Sequence, residues 1–290
     1  MLYVVLLIQQ FIASSTHLIA KDAASRLHPV SLVLVRGTLT CLAFGAWFLM
    51  ARRRWKPVAW RDVGLILGLG FVNLPINQLV FTWGVSHTTP PNASLAYAMT
   101  PAFVASLMIF VQRRSLSPHK LLGIFVAFVG AAIVLVDRGA DVAAGRTLGN
   151  VLVLVASFSW AVFTLYGRPL IERYGPIQAS AMTFFAGLAT YIPLWLLMPV
   201  DGQLAVLWRG DATTVWWQLV YLGVVTSGIG YALWYYALGR LDSGKVAVFS
   251  NMQPVLTSVL AFVFLGQTPS PAFVVGGCIA LLGVIVTQRS

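Results

Sequence analysis

Ionisable side chains are scarce in this chain. Only 9% of its residues are Asp, Glu, Lys or Arg, against roughly 25% in soluble domains. So few charges do not fit a water-soluble fold. Acids are scarcer still, 8 in 290 residues, and all of them fall in loops or at the ends of apolar runs. That placement argues against a paired general acid and base and against an oxygen-lined metal site. The 2 cysteines, Cys41 and Cys278, each lie inside an apolar run, where they read as small packing residues with neither a disulfide nor a metal site. The 4 histidines, His17, His28, His87 and His119, are scattered, without the spacing of a zinc site. No nucleotide loop occurs either. No metal, no cofactor and no enzymatic activity are expected.

What the chain has is apolar length. Hydrophobic residues make up 59% of it, in recurring runs of about 20, each long enough as a helix to cross a hydrocarbon layer of about 30 Å. The runs place spans at 2–20, 30–51, 62–85, 91–111, 118–136, 147–167, 177–198, 214–238, 244–265 and 271–288. The expected fold is therefore all-α, a polytopic membrane protein of ten transmembrane helices. Leu2 to Ala20 reads as a retained span, since no basic segment precedes it and no small-residue cleavage site follows. A net charge of +11 in a soluble protein would point to nucleic acid. Here the cations cluster in short interhelical loops, as at Arg52-Arg53-Arg54-Trp55-Lys56 and Arg113-Arg114, and the expected partner is the lipid bilayer, with no nucleic acid. With the N-terminus inside, most Lys and Arg fall on the inner side, so the positive-inside rule places both termini in the cytoplasm; the expected location is the inner membrane of a bacterial cell.

Sliding the sequence on itself by 153 positions aligns Ala98-Met99-Thr100-Pro101 with Asn251-Met252-Gln253-Pro254, and Leu69-Gly70 with Leu222-Gly223. In the same register Ser117-Pro118 meets Ser270-Pro271, Gly123 meets Gly276, and Gly130 meets Gly283. Two five-helix repeats follow, 1–137 and 147–290. Five crossings is an odd number, so the second copy is inverted, the architecture of secondary transporters with a site near the midplane. Pro101 and Pro254, equivalent residues inside the fourth and ninth spans, are the expected hinges, because a proline inside a helix removes a backbone hydrogen bond and bends it.

Several features together resemble the drug/metabolite transporter superfamily, specifically its EamA type and the YddG-like amino-acid exporters within it. They are Arg36 in the second span, Ser159-Trp160-Ala161 in the sixth, Leu222-Gly223 with Tyr231 and Ala237-Leu238 in the eighth, Asn251 to Pro254 in the ninth, and the run from Ser270-Pro271 to Gly283. The resemblance covers essentially the whole chain. It implies a ten-helix basket whose cavity is lined by helices one, three, four, six, eight and nine, with five and ten at the periphery. The family often carries Glu after the fourth and ninth spans and before the proline of the ninth, where this chain has Arg114, Gln267 and Gln253. Those differences argue against proton coupling through a carboxylate.

Polar side chains in hydrocarbon are costly, and those that persist face the bundle interior. In the first span Gln10, Ser14 and His17 share a helical stripe that continues to Lys21. The third span offers Asn73, Asn77 and Gln78, with Phe81 on the Asn77 face; the fourth offers Tyr97 and Thr100. Ser157, Trp160 and Thr164 line up on the sixth span, Tyr231 and Tyr235 on the eighth, and Ser250 and Gln253 on the ninth. Arg36, one to two turns into the second span, reads as a structural partner for backbone carbonyls in preference to a clamp on a substrate carboxylate. Trp47, Trp55, Trp60, Trp216 and Trp217 lie at span ends and belong to interfacial belts.

Aromatic faces attract an ammonium and amides bind a carboxylate, so the pocket suits a small polar molecule, foremost an amino acid, aromatic or otherwise neutral. The expected function is a secondary transporter exporting such metabolites by alternating access, facilitative or exchange-driven because no acid sits deep in a span. The alternatives are a membrane-embedded enzyme, which would need a titratable or metal-binding constellation, and a channel, which would need a pore ring.

Overall fold

The computed structural model describes residues 2–50, 55–111, 117–135, 144–198, 203–208 and 212–289. The basic clusters at Arg52 to Arg54 and at Arg113-Arg114 lie outside them, as does most of the segment between the two expected repeats. The described residues are predominantly helical, with no strand among them. The main elements are α1 (Leu2–Arg26), α2 (Pro29–Met50), α3 (Trp60–His87), α4 (Pro90–Phe110), α5 (Pro118–Leu135), α6 (Ala144–Tyr166), α7 (Pro176–Leu197), α8 (212–238), α9 (Ser243–Leu265) and α10 (Pro271–Arg289). A short helix, Arg168–Tyr174, joins α6 to α7.

Proline sets many of the starts. Pro29, Pro90, Pro118, Pro176 and Pro271 each open a helix, a position where the missing N–H has no intrahelical acceptor and the fixed φ suits the helix. Glycine makes the sharpest stop. Gly266, at φ 61°, ends α9, with its N–H on Phe262 O and that of Gln267 on Ala261 O, a left-handed cap closed to a residue with a Cβ except at a cost.

Among the described residues seven helices are long and apolar enough to cross a bilayer: α1, α2, α3, α4, Thr147–Tyr166 of α6, α7 and α9. Leu121–Gly130 of α5 and Pro271–Gly283 of α10 are shorter apolar stretches. The segment α8, expected as a span, is helical along its length but carries Thr226, Ser227 and several tyrosines and tryptophans, which dilute its apolar character. The outward faces of the molecule are apolar: Leu49, Phe110, Leu197 and Phe264 are all well exposed. Such a surface is stable against lipid and unstable against water. Trp60, expected in an interfacial belt, is 88% exposed at the start of α3.

Four helices are interrupted at mid-length. In α3 the stretch Val72–Gln78, containing Pro75, is wound as a π-helix, and in α8 so is Tyr221–Gly230. In α4 the chain breaks at Met99 and restarts at Thr100. In α9, Val248–Met252 tightens to a 3₁₀ turn before Gln253. Pro101 and Pro254 therefore do not bend a continuous helix as expected. Each sits in the first turn of the half-helix that follows the break, where proline is tolerated, and the discontinuity lies just upstream.

Helices α5 and α10 pack most extensively against each other and lie beside α4. Their crossing is made close by glycine. A Cβ on Gly130 would stand 2.6 Å from Gly276 O and against the Ala280 backbone, while one on Gly283 would stand 2.6 Å from Gly123 O and against the Ala127 backbone. Gly70 of α3 packs likewise on Gly187 of α7, and Gly223 of α8 on the α2 backbone at Arg36. Thus α7 buttresses the π-segment of α3, and α2 that of α8.

Candidate functional site

At mid-length, α1, α2, α3, α4, α6, α8 and α9 enclose a cavity of about 60 Å³. That is room for a few waters and well below the 300 Å³ or more of a pocket holding a drug-sized ligand. The expected lining helices are all represented, and α2 joins them through Arg36.

The π-wound stretch of α3 delivers Asn77 and Gln78 to the cavity. Asn77 Nδ2 reaches Tyr97 OH on α4 at 3.0 Å, and on α6 the Ala156 carbonyl at 2.7 Å and Ser159 Oγ at 3.3 Å. Asn77 Oδ1 accepts from Tyr231 OH of α8 at 3.4 Å. One buried amide thus ties four helices together at one depth. Gln78 Nε2 donates to Tyr231 OH at 3.5 Å, while Gln78 Oε1 is buried without a donor.

A second polar chain joins α1 to α9. His17 Nε2–H donates to Gln253 Oε1 at 3.1 Å, Gln253 Nε2 to Gln10 Oε1 at 2.9 Å, and Gln10 Nε2 to Gln9 Oε1 at 2.6 Å. The His17 ring is held edge-on by Phe81 and Tyr97, at centroid distances of 5.4 and 5.6 Å. The remaining wall is aromatic: Trp160 of α6 lies 4.8 Å from Tyr231 and 5.5 Å from Trp234. Trp234 Nε1 donates to Thr164 Oγ1 at 3.1 Å.

Of the residues expected at a site, His17, Asn77, Gln78 and Phe81 line the cavity, as do Tyr97, Trp160, Tyr231 and Gln253. The others lie one layer behind. Gln10 holds Gln253, and Ser14 bonds its own helix and accepts Thr257 Oγ1 at its carbonyl. Thr100 and Ser157 bond each other at 3.2 Å, Thr164 holds Trp234, and Tyr235 is stacked on Phe163. Asn73 and Ser250 are fully buried with side-chain atoms unpartnered. The stripe of α1 through Gln10, Ser14 and Lys21 thus faces protein: α9 holds the first two, and Lys21 Nζ donates to Ser86 O. The cavity face of α1 is Gln9, Ala13, Thr16 and His17.

Sequence reasoning missed Gln9, Thr16, Thr226 and Trp234. The i, i+7 spacing of Gln9 and Thr16 was a usable signal; Thr16 Oγ1 lies 3.0 Å from Thr226 Oγ1. Arg36 also departs from expectation. Its Nε donates to the Ser227 hydroxyl at 2.8 Å, and among the described residues its Nη1 has no partner and no backbone carbonyl accepts from the guanidinium.

Polar ties close the bundle at both ends of α3. Where α3 begins, buried Asp62 pairs with Arg173 and accepts from Tyr174 OH at 2.7 Å. Lys56 N and O exchange hydrogen bonds with the Gln178 amide at 3.0 and 2.8 Å. Where α3 ends, Lys21 Nζ donates to Ser86 O at 2.7 Å, Gln218 bonds Asp22, and Thr88 bonds Asn150.

A helical body with an apolar exterior and, at mid-depth, a small cavity into which amides, aromatic rings and one cation project is the arrangement of a membrane transporter. The model of the EamA-like transporter family matches residues 1–136 and again 147–289, and the chain belongs to that family. It is a transporter and not an enzyme. It is 30% identical over 79% of its length, and 74% of the relative's, to a probable terminal-alkyne amino-acid exporter of Streptantibioticus cattleyicolor. It is 27% identical over 89% of its length, and 86% of the relative's, to a probable amino-acid metabolite efflux pump of Salmonella typhimurium. A protein of known crystal structure superposes with a TM-score of 0.67 at 20% identity, covering 99% of this chain and 95% of that one. That likeness concerns the fold.

Proposed function

We propose that the protein is a secondary transporter that exports amino acids or similar small polar metabolites, by facilitated or exchange-driven alternating access through the α1–α3–α4–α6–α8–α9 cavity. The observation that carries the reading is a small mid-depth cavity of amides, aromatic rings and one cation, with polar ties across the bundle at both ends of α3 and no carboxylate among the described lining residues. Among the described residues the acids are Asp22, Asp62, Glu172 and Asp242, all at helix ends or in turns. An ion gradient biases an access equilibrium only through an ion that binds the two states differently, and this lining offers no acid for it. The substrate's own gradient sets the direction, and export follows a high internal level. The names of the relatives support an amino-acid cargo.

The reading includes ten spans arranged as two inverted repeats, 1–137 and 147–290, in the inner membrane with both termini cytoplasmic. Support comes from the double match of the family model and from pairs 153 residues apart. Gln78 and its equivalent Tyr231 touch across the cavity, and Gly130 and Gly283 make the same contacts in exchanged roles. A two-fold relation in the membrane plane brings equivalent residues together in this way. The breaks before Pro101 and Pro254, equivalent in the two halves, are the hinges; discontinuous helices typically form the midplane site of such transporters.

The test is counterflow in proteoliposomes, with labelled L-leucine and L-phenylalanine outside and the unlabelled amino acid within. Transient accumulation of label driven by the internal pool is expected, while an imposed proton or sodium gradient alone concentrates nothing. Lack of exchange with either amino acid overturns the cargo assignment; sustained proton-driven accumulation overturns the mechanism and shifts attention to His17. Ion currents in a planar bilayer would instead indicate a channel.

A further inference from the structure

Among the described residues Arg36 is the only charged one lining the cavity, and it is 2% exposed. It lies about two turns into α2, roughly 10 Å along the helix axis. A charge at the centre of a spanning helix costs roughly 2.5–3.5 kcal/mol on insertion scales, and such residues persist by pairing. Here pairing is incomplete. A guanidinium has five N–H donors; Nε engages the neutral Ser227 hydroxyl, and Nη1 is buried with no acceptor. The described acids are committed elsewhere, Asp22 to Arg26, Asp62 to Arg173, Glu172 and Asp242 to Arg168.

The same lining carries the opposite deficiency. Gln78 Oε1 is a buried acceptor without a donor. His17 spends its Nε2–H on Gln253 Oε1, which leaves Nδ1 of the neutral ring as an acceptor, also buried and unpartnered. An unused donor on a fixed cation, unused acceptors on neutral groups and aromatic rings in the same lining are complementary to a small molecule with an anionic end, an N–H-bearing end and a modest apolar part.

We propose that Arg36 anchors the carboxylate of the transported molecule, with Gln78 Oε1 and His17 Nδ1 receiving its ammonium, so that the substrate class is α-amino acids with a free carboxylate. This rests on the transport reading above and narrows it to one polarity of binding. Planar, bidentate recognition of a carboxylate is the task for which Arg is suited and Lys only partly.

The experiment is binding followed by thermal unfolding of the detergent-purified full chain. The probes are L-leucine and L-phenylalanine, each against its carboxamide and its decarboxylated amine. Each free amino acid should bind at least roughly tenfold more tightly than its carboxamide or amine, the scale of losing a charge-assisted pair. Arg36→Gln should erase that preference, and Arg36→Lys, which keeps the charge and guards against misfolding as the explanation, should retain part of it. Equal binding of acid and carboxamide by the unaltered protein, undiminished preference in a folded Arg36→Gln variant, or no binding of either amino acid overturns the anchor. Discrimination in binding without counterflow leaves the anchor standing and sinks the transport reading. Counterflow that takes leucine and its carboxamide alike does the reverse.

Discussion

Asn77 shows how much one side chain can hold in a place without water. Its Nδ2 is shared among Tyr97 OH, Ala156 O and Ser159 Oγ, and its Oδ1 accepts from Tyr231. Replacing it leaves the buried Tyr97 OH of α4 without its partner and takes the acceptor from Tyr231 OH of α8, at about 1–3 kcal/mol for an unsatisfied group. Asn77→Ala is expected to lower the thermal unfolding midpoint in detergent and to reduce counterflow strongly. A stability within experimental error of the parent's would refute the role of Asn77 as the tie among these helices. The polarity of such residues made them legible in the sequence, because an amide in hydrocarbon must have a reason to be there. Their rotation about the helix was much less legible. On α1 both Gln10 and Gln9 are polar and buried, one toward α9 and one toward the cavity; a membrane helix has protein on several faces, so polarity alone does not select between them. Arg36 was legible as an anomaly, but its actual partner, Ser227, is 191 residues away, and no local pattern announces it.

At the scale of elements, the sequence marks where helices start better than where they change their winding. The prolines at 29, 90, 118, 176 and 271 coincide with helix starts. Pro75 marks the π-wound part of α3, but a proline in a span has several outcomes, and Pro101 and Pro254 take the mildest, at the first turn of a new half-helix. The π-segment of α8 has no proline and was invisible. Glycines at fixed spacing were legible as a repeat, and the structure gives their purpose, since Gly130 and Gly283 let α5 and α10 approach to backbone contact. Small residues at such crossings matter because packing, not hydrophobicity, holds helices together in lipid. Gly130→Ala and Gly283→Ala should each destabilise by about 1–3 kcal/mol through overpacking, by similar amounts because each Cβ meets the equivalent atoms. Thermal unfolding in detergent measures this; one large and one negligible loss would contradict the equivalence of the two contacts.

At the scale of the molecule, the cavity lies between two sets of closures, and a transporter must release them one at a time. A 153-residue register could suggest a paired architecture, but it could not reveal these closures. Asp62 meets Arg173 and Tyr174 from a distant segment, and Asp22 meets Gln218, so the partners share no common offset. The energetics decide how a closure acts. A charge-assisted bond contributes about 1.5–3 kcal/mol, and each 1.4 kcal/mol is about tenfold in a population. Removing the buried Asp62 closure should therefore raise the share of molecules open at that end by about tenfold or more, and removing Asp22, whose side chain is about half exposed, by a smaller factor, while the other end stays shut in each case. Asp62→Ala frees the end at which α3 begins, and Asp22→Ala the end at which it finishes. A reporter cysteine at Ala13, which lines the cavity, in a chain with Cys41 and Cys278 replaced by Ala, reads the result through an impermeant thiol reagent applied to one membrane face at a time. Asp62→Ala should speed labelling from one face only, and Asp22→Ala from the opposite face only, with the double variant intermediate because the two biases act on one equilibrium. Acceleration from both faces in a single variant would mean that the ends open independently and that the protein forms a continuous pore.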